Sequence, residues 1–158
     1  MASNSLFSKD RGVYWPAEFA DIVALLKGVD GSGKYVSPAF YKYNTGVMVL
    51  AAMVGLAHSR ERDVGAERME VRTEQFEAHR LGDATLAAFI FLVPLLAGAT
   101  TDVLRAEHEE EVIRRFERFA AGGFEVLRGA LSVTSDSTGH SVLRAEIERA
   151  EVLIVRSS

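Results

Sequence analysis

Residues 44–62, Asn44 to Arg62, read NTGVMVLAAMVGLAHSRER, and the fold is read outward from them. An apolar run opens at the capping-type pair Asn44-Thr45 and stops in a charged cluster. Val47, Leu50, Ala51, Val54 and Ala57 recur at helical spacing, while Met48, Ala52 and Gly55 line a second face. Apolar character nearly all round means a helix buried on most sides. Gly46 and Gly55 each cost about 1 kcal/mol relative to Ala in a helix interior. A second backbone packed close against them is the natural compensation. The stretch predicts a buried central helix that surfaces at its basic end.

The rest of the chain is ordinary in bulk. At 158 residues it suits one domain that buries roughly 70% of its unfolded surface. A hydrophobic fraction of 48% with 25% charged residues is globular composition, not disorder. The net charge of −4 gives no global attraction to nucleic acid, so a DNA role needs a local basic patch. The absence of Cys excludes disulfides and thiolate metal sites. The start, MASNSLFSKDRG, lacks the apolar core of a signal peptide. The apolar run from Ala84 to Ala97 contains Pro94 and falls short of the roughly 20 residues a membrane span needs. The expected location is cytoplasmic, with no membrane contact.

In chain order, Met1 to Gly12 is polar. A helix is expected from Pro16 to Lys27, with Phe19, Ile22, Val23, Leu25 and Leu26 inward, Trp15 packed over its first turn and Gly28 ending it. Arg68 to Phe76 alternates like a short strand, with Met69, Val71 and Thr73 on one side. Asp83 is read as the cap of a core helix over Ala84 to Ala97, kinked by Pro94. Thr100-Thr101-Asp102 signals another helix start, whose stripe is Val112, Ile113, Phe116 and Phe119. Glu110 with Arg114 and Glu111 with Arg115 have the i,i+4 order of helix-surface pairs. Gly122-Gly123 is expected to break this helix, leaving Phe124, Val126, Leu127 and Leu131 on a further short one. After Val133 a polar stretch, TSDSTGH, leads to a tail with Leu143, Ile147, Ala150 and Ile154 at 4-3-4 spacing. That seam can dock on the core or pair with a second copy as a homodimer. The expectation is a mainly α, compact single-domain helical bundle around the central helix, with a short two-stranded β element. Residues 1–133 form the helical domain, and 134–158 form a polar linker and amphipathic C-terminal helix.

Chemical motifs are few. Gly28 to Lys34, GVDGSGK, matches the phosphate-loop pattern GxxxxGK. Tyr35 stands where the magnesium-binding Ser or Thr should follow, and the stretch comes after a helix and runs into Ser37-Pro38. It is read as a Gly-rich connection, with nucleotide binding the remote alternative. His108 sits beside three Glu residues, but the second His of HExxH would fall at Val112. Tyr35, Phe40, Tyr41 and Tyr43 form an aromatic cluster suited to anchoring a loop. No catalytic residue, cofactor site or metal site is expected. The candidate nucleic-acid contacts are His58, Arg60 and Arg62 of the basic turn, with Arg68 and Arg72 and, further on, Arg80. Glu61, Asp63, Glu67, Glu70, Glu74 and Glu77 interleave with them. The competing view is therefore a salt-bridged surface.

The order of parts resembles the DNA phosphorothioation-associated protein 4 family, also called Dnd system-associated protein 4. The carriers are VMVLAAMVGLAHSRER, the EVRTEQF segment ending in Phe76, the apolar helix after it, and VLRAEHEEEVIRRFERFAAGGFEVL. Together they cover about Phe40 to Leu131, leaving the GVDGSGK loop and the tail after Ser132 outside the pattern. The resemblance implies a small accessory protein, without a catalytic motif, of bacterial systems that replace a phosphate oxygen of DNA by sulfur and restrict unmodified DNA as phage defence. Other proteins of the modification and restriction system would be its partners. It leaves two roles open, contact with DNA or assembly with larger restriction proteins.

Overall fold

The computed structural model describes residues 5–29, 34, 41–132, 141 and 144–149. In order these form β1 (Gly12–Pro16), a 3-10 turn (Ala17–Phe19), α1 (Ala20–Leu26) and α2 (Asn44–Ala57). Then come β2 (Arg68–Arg72), α3 (Thr73–Ala78), β3 (Arg80–Leu81), β4 (Ala84–Thr85) and α4 (Ala87–Leu96). Two short 3-10 turns lead to α5 (Glu109–Ser132), and residues 144–149 are helical, here α6. The fold is mainly α with two small two-stranded antiparallel sheets, β1 with β2 and β3 with β4.

α2 is the core, buried without interruption from Val47 to Leu56. Its partner is α5. Contrary to the sequence expectation, Gly122-Gly123 does not break α5, which runs as one helix of 24 residues. The reason is contact, not propensity. A Cβ on Gly123 would fall on the carbonyl of Ala51, and one on Gly55 would fall on the carbonyl of Phe119. The two backbones touch there, and buried Ala51, Ala52, Ala120 and Ala121 continue the small-residue seam. Burial on both sides supplies what helix propensity lacks.

α2 ends in a Schellman arrangement: the N–H of Arg60 donates to Gly55 O at 2.7 Å and that of Ser59 to Leu56 O at 3.1 Å. Ser59 takes the left-handed conformation at φ 52°. Asn44 and Thr45 do not cap the other end, where Tyr43 precedes the first turn. Thr45 is buried and its hydroxyl meets His79 Nδ1 at 2.7 Å.

Residues 12–16 form a strand where helix entry was expected. Pro16 ends β1 opposite Arg68, and Val13 pairs with Val71. Val13, Trp15 and Val71 are buried, Trp15 packing on Phe124 of α5 with ring centroids 6.1 Å apart. β2 is shorter than its alternation suggests, stopping at Arg72. Asp10 terminates it by accepting the Thr73 hydroxyl at 3.0 Å and the Glu74 N–H at 3.1 Å, which starts α3. Phe76 turns inward as expected, edge-on to Phe116 at 5.9 Å. Ala84 and Thr85 return along Arg80 and Leu81, so Asp83 lies in a hairpin turn and caps nothing. α4 passes through Pro94 and ends two residues later at Leu96. The Thr100 signal yields only a 3-10 turn, Thr101–Leu104.

The stripe Val112, Ile113, Phe116 and Phe119 is buried as expected. The i,i+4 pairs are not formed. Glu110 bonds Arg11 at 3.1 Å, Glu111 meets His108 at 3.4 Å and Arg115 meets Glu61 at 3.5 Å. Arg11 and Glu61, distant in the chain, take Glu110 and Arg115, while Glu111 turns to His108 three residues before it. Gly28 does end α1. Residues 30–33 of GVDGSGK, the Ser37-Pro38 turn with Tyr35 and Phe40, the 133–140 linker, and Leu143, Ala150 and Ile154 lie outside the described residues. Among the described residues, no helix is long and apolar enough to cross a membrane.

The seam makes a paired prediction. Gly123→Ala should destabilise the protein by roughly 3 kcal/mol through overpacking. Gly129→Ala, on an open stretch of α5 where nothing lies within 4 Å of the added methyl, should stabilise it by roughly 0.5–1 kcal/mol. Urea unfolding of the two variants checks this, and equal effects would refute the backbone contact.

Candidate functional site

α5 presents Glu109, Ile113 and Glu117, four residues apart and all buried, to the N-terminal segment and β1. Glu109 accepts the Ser8 N–H at 2.6 Å, the Ser8 hydroxyl at 2.8 Å and Arg11 Nε at 2.9 Å. Burial pushes its carboxyl up, but these hydrogen bonds and the Arg11 charge outweigh it and hold the group below the ordinary glutamate range. Glu117 is in a different position. Among the described residues its one hydrogen bond is from the Tyr14 N–H at 2.8 Å, a β1 donor spent on α5. Burial dominates, and the Tyr14 N–H with the charges of Arg68 and Arg114 offsets it only in part, so the carboxyl is pushed up to about 7.

Glu117 lies in a cleft of about 360 Å³ between β1, β2, α5 and the segment before β1. Its walls carry Lys9, Arg11, Arg68, Arg72 and Arg114, against Asp10, Glu110 and Glu117. Two of these cations are neutralised: Arg72 by Asp10 at 2.9 Å and Glu70 at 2.5 Å, Arg11 by Glu109 and Glu110. Among the described residues, Lys9, Arg68 and Arg114 make no ion pair. Arg68 lies over the Tyr14 ring at 4.2 Å, which fixes its guanidinium in the cleft wall. Three cations without an ion pair among the described residues thus share the cleft with a buried carboxylate.

The five basic positions expected from the sequence fall into two settings. Arg68 and Arg72 line the cleft. His58, Arg60 and Arg62 form the seam between the end of α2 and its neighbours. His58 Nε2 lies 2.9 Å from Glu146 of α6, and Arg60 bonds Glu125 of α5 at 2.7 Å. Arg62 pairs with Glu18 and, at 3.5 Å, with Glu125, and its guanidinium rests on Phe19 at 5.2 Å. Its backbone N–H donates to Arg118 O at 3.0 Å. Arg80 donates to the carbonyl of Asp83 within its own hairpin.

Lys9, Arg11, Arg114 and Glu117 were not selected from the sequence. Lys9 and Glu117 are more than a hundred residues apart in the chain, and no local pattern joins them. One signal was available: Glu117 follows Ile113 by four positions and precedes Ala120 by three, which puts it on the buried face. Among the described residues no group of three or more His, Asp or Glu could hold a metal.

A second concavity of about 680 Å³ lies between α2, α4 and the β3–β4 hairpin. Val49, Leu50, Met53, Leu86, Phe89 and the exposed Leu81 give it an apolar floor and lip. Lys42, His79 and Arg80 stand at its edge, and no carboxylate is among its described lining residues. The Tyr43 ring stacks on His79 with centroids 3.9 Å apart. Ile147 of α6 reaches the same groove, so the described part of the tail docks on its own core.

The family model for DNA sulphur modification system-associated protein 4 matches residues 13–152. The match takes in both the GVDGSGK loop and most of the tail, which the resemblance read from the sequence had left outside. No curated protein and no solved structure matches the chain.

Glu117 should make stability depend on pH. The unfolded chain releases this proton near the ordinary glutamate value of about 4.5, the folded protein only at about 7. The stabilisation from the retained proton is therefore complete at low pH and lost as pH rises through about 7. Glu117→Gln mimics the protonated form. It should match the wild type below about pH 4.5 and exceed it by about 3 kcal/mol above about pH 8. Urea midpoints at the two pH values measure the difference, and one that does not grow with pH would refute the assignment.

Proposed function

Since the chain belongs to the family of DNA sulphur modification system-associated protein 4, we propose that it is a non-enzymatic accessory protein of such a system that grips the DNA backbone in the β1–β2–α5 cleft. The observation that carries this is the charge arrangement. Lys9, Arg68 and Arg114 make no ion pair among the described residues and share one concavity, whereas the basic turn at 58–62 is paired with Glu18, Glu125 and Glu146. With a net charge of −4, attraction to phosphates has to be local. Side chains of this kind position a protein on DNA without reading sequence. The role is in modification-linked restriction in the cytoplasm, where the DNA is.

A different observation favours a second reading, assembly with a larger protein of the system. The apolar groove has a cationic edge and no described carboxylate, so it is complementary to an acidic amphipathic helix.

Contact through three cations should give a log–log salt slope of about −2.7 on duplex DNA, and Arg68→Ala/Arg114→Ala should reduce it to about −0.9. Arg60→Ala/Arg62→Ala should leave it unchanged. Anisotropy titrations against salt measure all three. No binding at about 50 mM salt, or a slope that responds to the turn and not to the cleft, would sink the proposal. For the second reading, Leu81→Asp should abolish co-purification with a product of a neighbouring gene while leaving the circular dichroism spectrum unchanged. Retention of the partner would remove that reading.

A further inference from the structure

Resting on the reading of the cleft as a phosphate site, we infer that Glu117 takes up a proton when a backbone phosphate enters, so that the cleft binds DNA more tightly on the acidic side of neutrality. The geometry carries the inference. Glu117 is only 6% exposed and lies in the cleft that an incoming anion must occupy. Asp10 and Glu110, the other carboxylates of the lining, are each held by an arginine. Glu117 has no ion pair among the described residues and one hydrogen bond, from the Tyr14 N–H.

Every element packed around it contributes to its field. β1 presents the Tyr14 N–H and phenol, and β2 presents Arg68 and the Arg72–Glu70 pair. α5 presents Arg114 and Glu110, and the preceding segment presents Lys9, Asp10 and Arg11. Burial pushes the Glu117 carboxyl up to about 7. Ionised, it competes with a phosphate for Arg68 and Arg114. Two anions facing the same cations, one of them the buried Glu117 carboxylate, cannot both keep their charge at low cost. The phosphate diester remains ionised, because its acidity lies far below that of a carboxylic acid, so the carboxylate is the group that changes. The step is a simple balance: one proton passes from solvent to a Glu117 carboxylate oxygen, and no other bond is made or broken. Protonated, Glu117 stops repelling the phosphate and releases Arg68 and Arg114 to it.

The test is duplex DNA binding at constant ionic strength. From about pH 6 to about pH 8 the wild-type dissociation constant should rise up to about tenfold. Glu117→Gln should bind at about pH 8 as tightly as the wild type does at about pH 6, with a flat profile between. Calorimetric titrations of the wild-type protein at about pH 7, in buffers of different ionisation enthalpy, should show net proton uptake without any substitution. Binding with the same pH profile in both proteins, or binding with no proton uptake, overturns the linkage alone. Absence of binding at every pH in both proteins overturns the phosphate reading on which it rests.

Discussion

The direct backbone contact between α2 and α5, at Gly55, Gly123 and Ala51, is the constraint on which the rest of the structure depends. Two helices whose main chains touch have little freedom to slide or rotate, because a shift of one residue would drive a side chain into the facing carbonyl. Once α5 is fixed against α2, its other faces are fixed too. Phe116 and Phe124 meet Phe76, Trp15 and Phe19 in the core. Glu109 and Glu117 come to the side where the N-terminal segment and β1 lie. The single helix that completes the core therefore also positions the candidate site.

α5 also divides the charge of the molecule. On one side Glu125 draws Arg60 and Arg62 together, and Phe19 carries the guanidinium groups of Arg62 and Arg128 on its ring. Those arginines serve the packing of α1, the end of α2 and α5. On the other side Arg114 and Glu117 face Arg68 without an ion pair. Closed pairs contribute little to recognition, while a cation without a carboxylate keeps its attraction for an incoming anion. An acidic chain can thus keep one cationic cleft without a basic overall composition.

Much of the fold was legible in the sequence because it follows from periodicity. The burial of α2, the inward turn of Phe76 and the stripe of α5 are consequences of helical spacing and side-chain type. The errors have one main cause. Gly122-Gly123, Pro16 and the Glu110–Arg114 pair follow local preference in the sequence, and in each a partner distant in the chain outweighs it, whereas Asp83 gives way to a hairpin within its own stretch. Ala51 and Arg60 accommodate the double glycine, Thr85 turns Asp83 into a hairpin residue, and Arg68 draws Pro16 into a strand. Of the candidate site, Arg68 and Arg72 were legible as basic residues near one another. Lys9, Arg114 and Glu117 were not, since each is unremarkable in its own stretch.

The sequence by itself determined a mainly helical domain around Asn44–Ala57, the lack of cysteine chemistry and the family to which the chain belongs. Those properties are written in composition, in period and in the order of parts along the chain. Only the tertiary structure decided which charges are available. Whether an arginine is neutralised or a glutamate buried depends on distances between residues as much as a hundred or more positions apart, and those distances exist only once α5 has closed on α2 and β1.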